Sequence, residues 1–206
     1  MSRLTSETLS EPASSEIDAV WTSLRWPGIE HVHLEQGAAP LHADSRAILV
    51  LDGAPIRVDY RLAWDAQWCA RELFIRTESP GRVNQLELRG DGAGTWTDGE
   101  GVHVPELDGC IDVDISMTPL TNTLPIRRMG LAAGERREML AAFVRVPDLT
   151  AAPVAQSYEF LEATPAGSRY LYQSSTFQAE LSIDSDDLVV DYATVWKRAP
   201  LNPTGG

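Results

Sequence analysis

Alternation of apolar and polar residues constrains the fold of this chain more than any other feature of its sequence. Residues 56–64 carry Ile, Val, Tyr and Leu at every second position, with Arg, Asp and Arg between them. Residues 110–116 repeat the pattern, with Ile111, Val113 and Ile115 opposite two aspartates and a serine. A period of two places each set of side chains on its own face of a β-strand, so one face of each segment is expected to be buried.

Similar segments, separated by turn residues, recur along most of the chain. We predict roughly 10–12 short strands, because a sheet of about that size normally curls or closes to protect its edges. The expected fold is mainly β: a single curled antiparallel sheet that forms a β-roll or barrel-like domain with little helix. The predicted strands lie at 46–51, 56–64, 71–77, 83–89, 95–97, 102–104, 110–116, 138–146, 155–162, 169–174, 176–183 and 188–192.

Two segments depart from this alternation. The apolar residues of 17–24 fall at helical spacing, which predicts a short helix there. Residues 117–137 contain Pro119 and Pro125, which argue against both a central strand and a regular helix. A long irregular segment inside a compact domain often has a role beyond connection.

Charge and composition exclude several classes of protein. The chain has 206 residues and a formal net charge of -13, so we expect no nucleic-acid partner, since phosphate backbones would be repelled. It contains no apolar run of ~18 residues and no signal-like leader, which predicts a cytoplasmic protein without integral membrane association. Residues 1–15 and 199–206 are expected to be disordered or flexible tails around a single domain at 16–198.

The sequence contains none of the common enzyme signatures, such as a G-x-S-x-G elbow, a Walker loop or an H-E-x-x-H pair. His31 and His33 would share a strand face, a spacing that permits metal ligation, but no third ligand is evident. Cys69 and Cys110 form no C-x-x-C motif and are expected to be reduced. We therefore assign no catalytic and no metal-binding residue, and we expect no cofactor.

One constellation of charges does suggest a site. Alternation places Asp112 and Asp114 on one face of a strand, and Arg127 and Arg128 follow shortly after. Three interpretations remain open. The arginines hold the carboxylates in a structural ion-pair network, the group recognises a polar ligand, or the carboxylates perform acid–base chemistry as in glycosidases.

The same region carries a resemblance to a known family. The chain resembles the bacterial "Putative glycolipid-binding" family, formerly a domain of unknown function. The segments that carry the resemblance are 107–114 (LDGCIDVD), Thr118-Pro119, Thr121-Asn122, 124–128 (LPIRR), 27–30 (PGIE), 60–62 (YRL) and 188–192 (LVVDY), with Trp196 and Arg198. Ala193 stands where family members usually have proline, which affects only a local turn.

The resemblance implies a curled β-roll, similar in shape to bacterial lipoprotein carriers that hold acyl chains, and it supplies no catalytic residues. We therefore expect a lipid or glycolipid ligand, with its apolar chain in the curled sheet and its headgroup at a polar lip. An enzyme that hydrolyses bonds through Asp112 and Asp114, or a purely structural or interaction module, is the alternative. The residues expected to bind the ligand are Asp112, Asp114, Asn122, Arg127, Arg128 and, at the rim, Trp64.

Overall fold

A computed structural model describes residues 15–36 and 41–201 of the chain. Within these residues almost all regular structure lies in one sheet, and the single α-helix, α1, spans Thr123–Met129. Short 3-10 turns occur at Pro105–Leu107 and Leu120–Asn122. The strands are β1 (Ser15–Ser23), β2 (Gly28–Gln36), β3 (Leu41–Leu51), β4 (Ala54–Trp64), β5 (Ala70–Ser79), β6 (Arg82–Gly90), β7 (Trp96–Asp98), β8 (Asp112–Ile115), β9 (Arg136–Arg145), β10 (Thr150–Thr164), β11 (Gly167–Ser174), β12 (Gln178–Ile183), β13 (Val189–Tyr192) and β14 (Trp196–Arg198).

The strand order of the 14-stranded sheet is β7-β6-β5-β4-β3-β2-β1-β14-β13-β12-β11-β10-β9-β8. Neighbouring strands are antiparallel except β8 and β9, which are parallel. Strand β5 contacts β8 although the two lie near opposite edges of the sheet, so the sheet curls back on itself without closing. The prediction of a mainly β domain built on one large sheet is confirmed, with more strands than expected and one parallel pair.

Strand β4 shows how the alternation produces the core. Its residues Ile56, Val58, Tyr60, Leu62 and Trp64 are buried, and the residues between them are exposed or half-buried. Burial of each large apolar side chain contributes about 1.5–3 kcal/mol, so a single strand of this kind anchors the sheet strongly to the core.

The predicted helix at 17–24 is wrong, because this segment is strand β1. Its residues Ala19 and Trp21 face the core with a period of two, and Leu24 is exposed. Strand β1 pairs with β2 along most of its length and with β14 at its end. Hydrogen bonding on both edges outweighs the weak local preference that the helical spacing indicated.

The prediction that 117–137 excludes a regular helix is wrong for α1. Pro125 occupies the first turn of α1, where backbone N–H groups have no partner within the helix. Gly130, with φ of 52°, ends the helix in the left-handed conformation. Leu120, Leu124 and Ile126 are buried in the main core cluster, so this segment fills the concave side of the curled sheet.

The predicted tails fall largely outside the described residues. Only Ser15 of the first and residues 199–201 of the second are described. The domain bounds of 16–198 therefore stay a prediction.

Candidate functional site

A cavity of about 520 Å³ opens beside the junction of β1 and β14. It is within the size range of small-molecule binding sites. Its rim includes the exposed residues Arg25, Arg145 and Thr176, so the cavity is accessible to solvent. Six aromatic side chains contribute to its wall: Trp26, Phe143, Tyr172, Phe177, Tyr192 and Trp196.

Asp114 places a carboxyl group in the lining of this cavity, and strand β8 positions it. Its side chain accepts hydrogen bonds from Gln156 Nε2 at 2.5 Å, Thr121 Oγ1 at 3.3 Å and Tyr172 OH at 3.5 Å. Burial raises the pKa of Asp114 above its usual value, and these three hydrogen bonds oppose that rise. A carboxyl group so held accepts hydrogen bonds from a ligand when charged and can also donate one when protonated.

Asn122 also lines the cavity, and its orientation is fixed. Its Nδ2 donates to the carbonyl oxygen of Pro119 at 2.9 Å, while Tyr158 OH donates to its Oδ1 at 2.8 Å. Asn122 lies immediately before α1, so this helix and the preceding 3-10 turn carry it into the cavity wall. The structure thus brings together two of the six residues that the sequence singled out.

Asp112 and Arg128 form a buried ion pair outside the cavity lining. The two terminal guanidinium nitrogens of Arg128, Nη1 and Nη2, each donate to one carboxylate oxygen, and Asp112 is only 1% exposed. Burial raises the pKa of Asp112, and the contact with Arg128 opposes the rise. Among the described residues the cavity lining therefore contains one carboxyl group, whereas the two-carboxylate mechanism of glycosidases needs two.

Arg127 and Trp64 lie away from the cavity. Arg127 Nε is 2.9 Å from a carboxylate oxygen of Asp187, and its guanidinium lies 4.2 Å from the centre of the Trp68 ring. Trp64, expected at the rim, is instead only 1% exposed and stacks on Trp68 with ring centres 5.6 Å apart. Trp64 faces inward because it lies on the same face of β4 as the buried residues at every second position before it.

Sequence reasoning missed Glu30, a fully buried carboxyl group on β2. Its Oε1 accepts hydrogen bonds from Ser45 Oγ and Tyr60 OH, both at 2.8 Å, and its Oε2 has no hydrogen-bond partner in the described structure. Burial raises the pKa of Glu30 to about 7. Tyr60 OH lies 3.1 Å from Oγ1 of Thr118, which lines the cavity. The alternation in the sequence could have indicated this burial, since Glu30 and the buried Val32 are two positions apart and therefore lie on the same face of β2.

Residues 15–36 and 41–201, the described part of the chain, present neither a metal site nor a membrane-spanning helix. No group of three or more His, Cys, Asp and Glu side chains there could hold a metal ion. His31 and His33 instead both contact Oδ1 of Asp18, at 2.8 and 3.2 Å. Within the same residues, no helix has the length and apolar character that crossing a membrane requires.

Fold and cavity together define a class of protein: an open β-roll, whose curled sheet encloses a packed interior and leaves an aromatic-lined cavity beside its middle strands. The family model with the description "Putative glycolipid-binding" matches residues 18–198. The chain therefore belongs to this family, which confirms the resemblance carried by residues 107–128.

A solved structure supports the same relationship. The crystal structure of a DUF1089 family protein from Pseudomonas aeruginosa is similar to this chain, with a TM-score of 0.74 and 34% sequence identity. The similarity covers 97% of this chain and 99% of that one. No curated protein matches the sequence significantly.

Proposed function

We propose that the protein binds a glycolipid, with the sugar headgroup in the cavity and the first methylenes of the chain along its apolar wall. One observation carries this proposal: an accessible cavity of about 520 Å³ combines aromatic walls with polar groups that are already held in place. The family description supports the same class of ligand.

Recognition of the headgroup depends on Asp114 and Asn122. Sugar hydroxyls need both donors and acceptors, and a carboxyl group beside an amide supplies both. Each side chain is held by its own hydrogen bonds before a ligand arrives. Such preorganisation lowers the entropic cost of binding.

The other four predicted residues have a positioning role in this proposal. The Asp112–Arg128 ion pair joins β8 to α1, the two elements next to Asp114 and Asn122. Arg127 holds the other side of α1 against Asp187. Trp64 acts indirectly, through the ring of Trp68 on which Arg127 lies.

The apolar chain takes a different place from the one expected at first. Because the segment around α1 fills the concave side of the sheet, the chain runs along Phe143, Phe177 and Val195 in the cavity wall. Each methylene buried there contributes about 0.8 kcal/mol, which is roughly a fourfold gain in affinity.

A chain-length series tests the proposal. Hexyl, heptyl and octyl β-D-glucoside, each below its micellar concentration, are titrated into the protein by calorimetry, and tryptophan fluorescence reports on Trp26 and Trp196. We expect one ligand per chain and an affinity that rises up to about fourfold with each methylene. If the affinity did not depend on chain length and equalled that of free glucose, the proposal that the cavity binds the apolar chain of a lipid would be refuted.

A pair of variants locates the binding. Phe177→Ala removes a ring from the cavity wall and should weaken octyl glucoside binding by about tenfold or more. Phe74→Ala removes an equal ring that is 37% exposed and lies outside the cavity, and it should leave the affinity unchanged. Equal effects of the two variants would place the ligand elsewhere.

A further inference from the structure

The arginines in the described part of the chain are almost all paired with carboxylates. Twelve of the fifteen arginines in the described residues form an ion pair with an aspartate or glutamate. The three that have no such pair in that part of the chain are Arg25, Arg137 and Arg145. Two of these three, Arg25 and Arg145, line the cavity.

This placement is unusual in a chain with a net charge of -13, where carboxylates outnumber cationic side chains by thirty to seventeen. An exposed arginine on such a surface ordinarily lies near a carboxylate. Two arginines on one cavity rim, neither paired with a carboxylate of the described residues, therefore form a local positive site in a protein whose overall charge repels anions.

The backbones that carry both arginines are anchored. Arg25 follows Ser23, whose Oγ accepts hydrogen bonds from the backbone N–H groups of Arg25 and Trp26, and its guanidinium lies 5.0 Å from the centre of the Trp26 ring. Arg145 ends β9, and its neighbour Val146 donates its backbone N–H to Ser116 Oγ at 3.0 Å. Each side chain therefore starts from a fixed point on the rim.

We propose that the headgroup bound in this cavity is anionic, with a carboxylate, phosphate or sulfate group that Arg25 and Arg145 contact. This inference rests on the proposed glycolipid-binding function and names the chemical class of the headgroup. Guanidinium groups make charge-assisted, often bidentate hydrogen bonds to such anions. Asp114 lies on the wall of the same cavity, where the uncharged sugar hydroxyls are recognised.

Two matched ligands test the charge alone. Octyl β-D-glucoside and octyl β-D-glucuronide share the chain and the ring and differ only in a hydroxymethyl or carboxylate group. Calorimetry at low ionic strength should give the glucuronide about tenfold higher affinity or more. Added sodium chloride should reduce this ratio, because the rim charges are exposed.

Three variants identify the residues responsible. Arg25→Gln and Arg145→Gln should each lower the ratio of glucuronide to glucoside affinity towards one. Arg137→Gln is the matched control, since Arg137 lies on the same strand as Arg145, has no ion pair in the described structure and lies outside the cavity. It should leave both affinities unchanged.

The outcomes separate this inference from the proposed function. Equal affinity of the wild-type protein for both octyl ligands would overturn the anionic headgroup and leave glycolipid binding intact. Absence of binding by either ligand would overturn the proposed function. Free glucuronate that binds as tightly as octyl glucuronide would show that a soluble sugar acid, and not a lipid, occupies the site.

Discussion

The stability of the Glu30→Gln variant relative to wild type should increase as the pH rises. The pKa of Glu30 is raised from 4.5 to about 7, so the folded protein holds its proton more tightly than the unfolded chain does. Between these two values the unfolded state ionises first, and the free energy of unfolding falls as the pH increases. At 1.36 kcal/mol per pKa unit, ionisation of Glu30 should lower the free energy of unfolding of the wild-type protein by ~2–3 kcal/mol between about pH 5 and about pH 8.

Urea denaturation of wild type and Glu30→Gln at both pH values measures the effect. Other titrating groups are common to the two proteins and cancel in the difference between their unfolding free energies. The glutamine amide occupies the place of the unpartnered Oε2 at both pH values, so its cost also cancels when the two pH values are compared. The prediction therefore concerns how the difference in unfolding free energy between the two proteins changes from the lower to the higher pH.

Glu72→Gln provides the control, because Glu72 is exposed on β5 and forms no ion pair among the residues described. The difference in unfolding free energy between Glu72→Gln and wild type should be the same at both pH values within about 0.5 kcal/mol. A difference for Glu30→Gln that is equally constant with pH would refute the reasoning, since a carboxyl group that ionises normally in the folded state costs nothing at neutral pH.

Three further predictions concern the stability of the fold and the reactivity of its thiols. Arg128→Ala leaves the carboxylate of Asp112 buried without its partner and should lower the free energy of unfolding by about 3–5 kcal/mol in urea denaturation. Gly167→Ala should cost ~2 kcal/mol or more in the same assay, because φ is 147° and a Cβ atom would lie 1.9 Å from the carbonyl oxygen of Ile183. Burial raises the pKa of the Cys69 and Cys110 thiols, so both should react slowly with Ellman's reagent at neutral pH and fully after denaturation.

Matched controls accompany these predictions. Arg82→Ala breaks the exposed pair with Asp148 and should cost less than about 1 kcal/mol, and a similar loss for Arg128→Ala would contradict the buried-pair argument. Gly101 also has a positive φ, 83°, but open space surrounds it. Gly101→Ala should therefore lower the free energy of unfolding only by backbone strain, about 1–2 kcal/mol. Rapid modification of both thiols in the native state would show that the region around them opens readily.

The sequence predicted the strands well because burial on one face imposes a period of two. Eleven of the twelve predicted segments correspond to strands, and the exception, 102–104, makes only an isolated bridge between His103 and Thr97. Strand β1 was missed because four apolar residues also fit a helix, whereas the strand is fixed by two partners: β2, which is next in the chain, and β14, which is far away in the chain. One of these partners, β14, is only three residues long.

The candidate site was less predictable than the fold. Neighbouring residues on a helix point about 100° apart, so Arg127 and Arg128 on α1 diverge to Asp187 and Asp112 and do not act together. The cavity residues Arg25 and Arg145 come from segments far apart in the chain, and no local pattern connects them. That neither arginine pairs with a carboxylate within residues 15–36 and 41–201 is visible only once the ion pairs of the folded chain are known.

The strand order has a consequence for folding. Strands β1–β7 and β8–β14 form two half-sheets in which neighbours in the sheet are neighbours in the chain, so each half assembles through local contacts. The junction between the halves instead joins distant residues, such as Trp21 Nε1 and the carbonyl oxygen of Val189, 168 positions apart. Closing so long a loop is expected to come last.

The cavity lies across this junction. Trp26 follows β1 in the first half, while Tyr192 and Trp196 belong to the second. A ligand in the cavity therefore contacts both half-sheets. Its binding free energy stabilises the contact between the half-sheets more than it stabilises either half-sheet alone. The rate at which the two halves separate should accordingly fall as the ligand concentration rises.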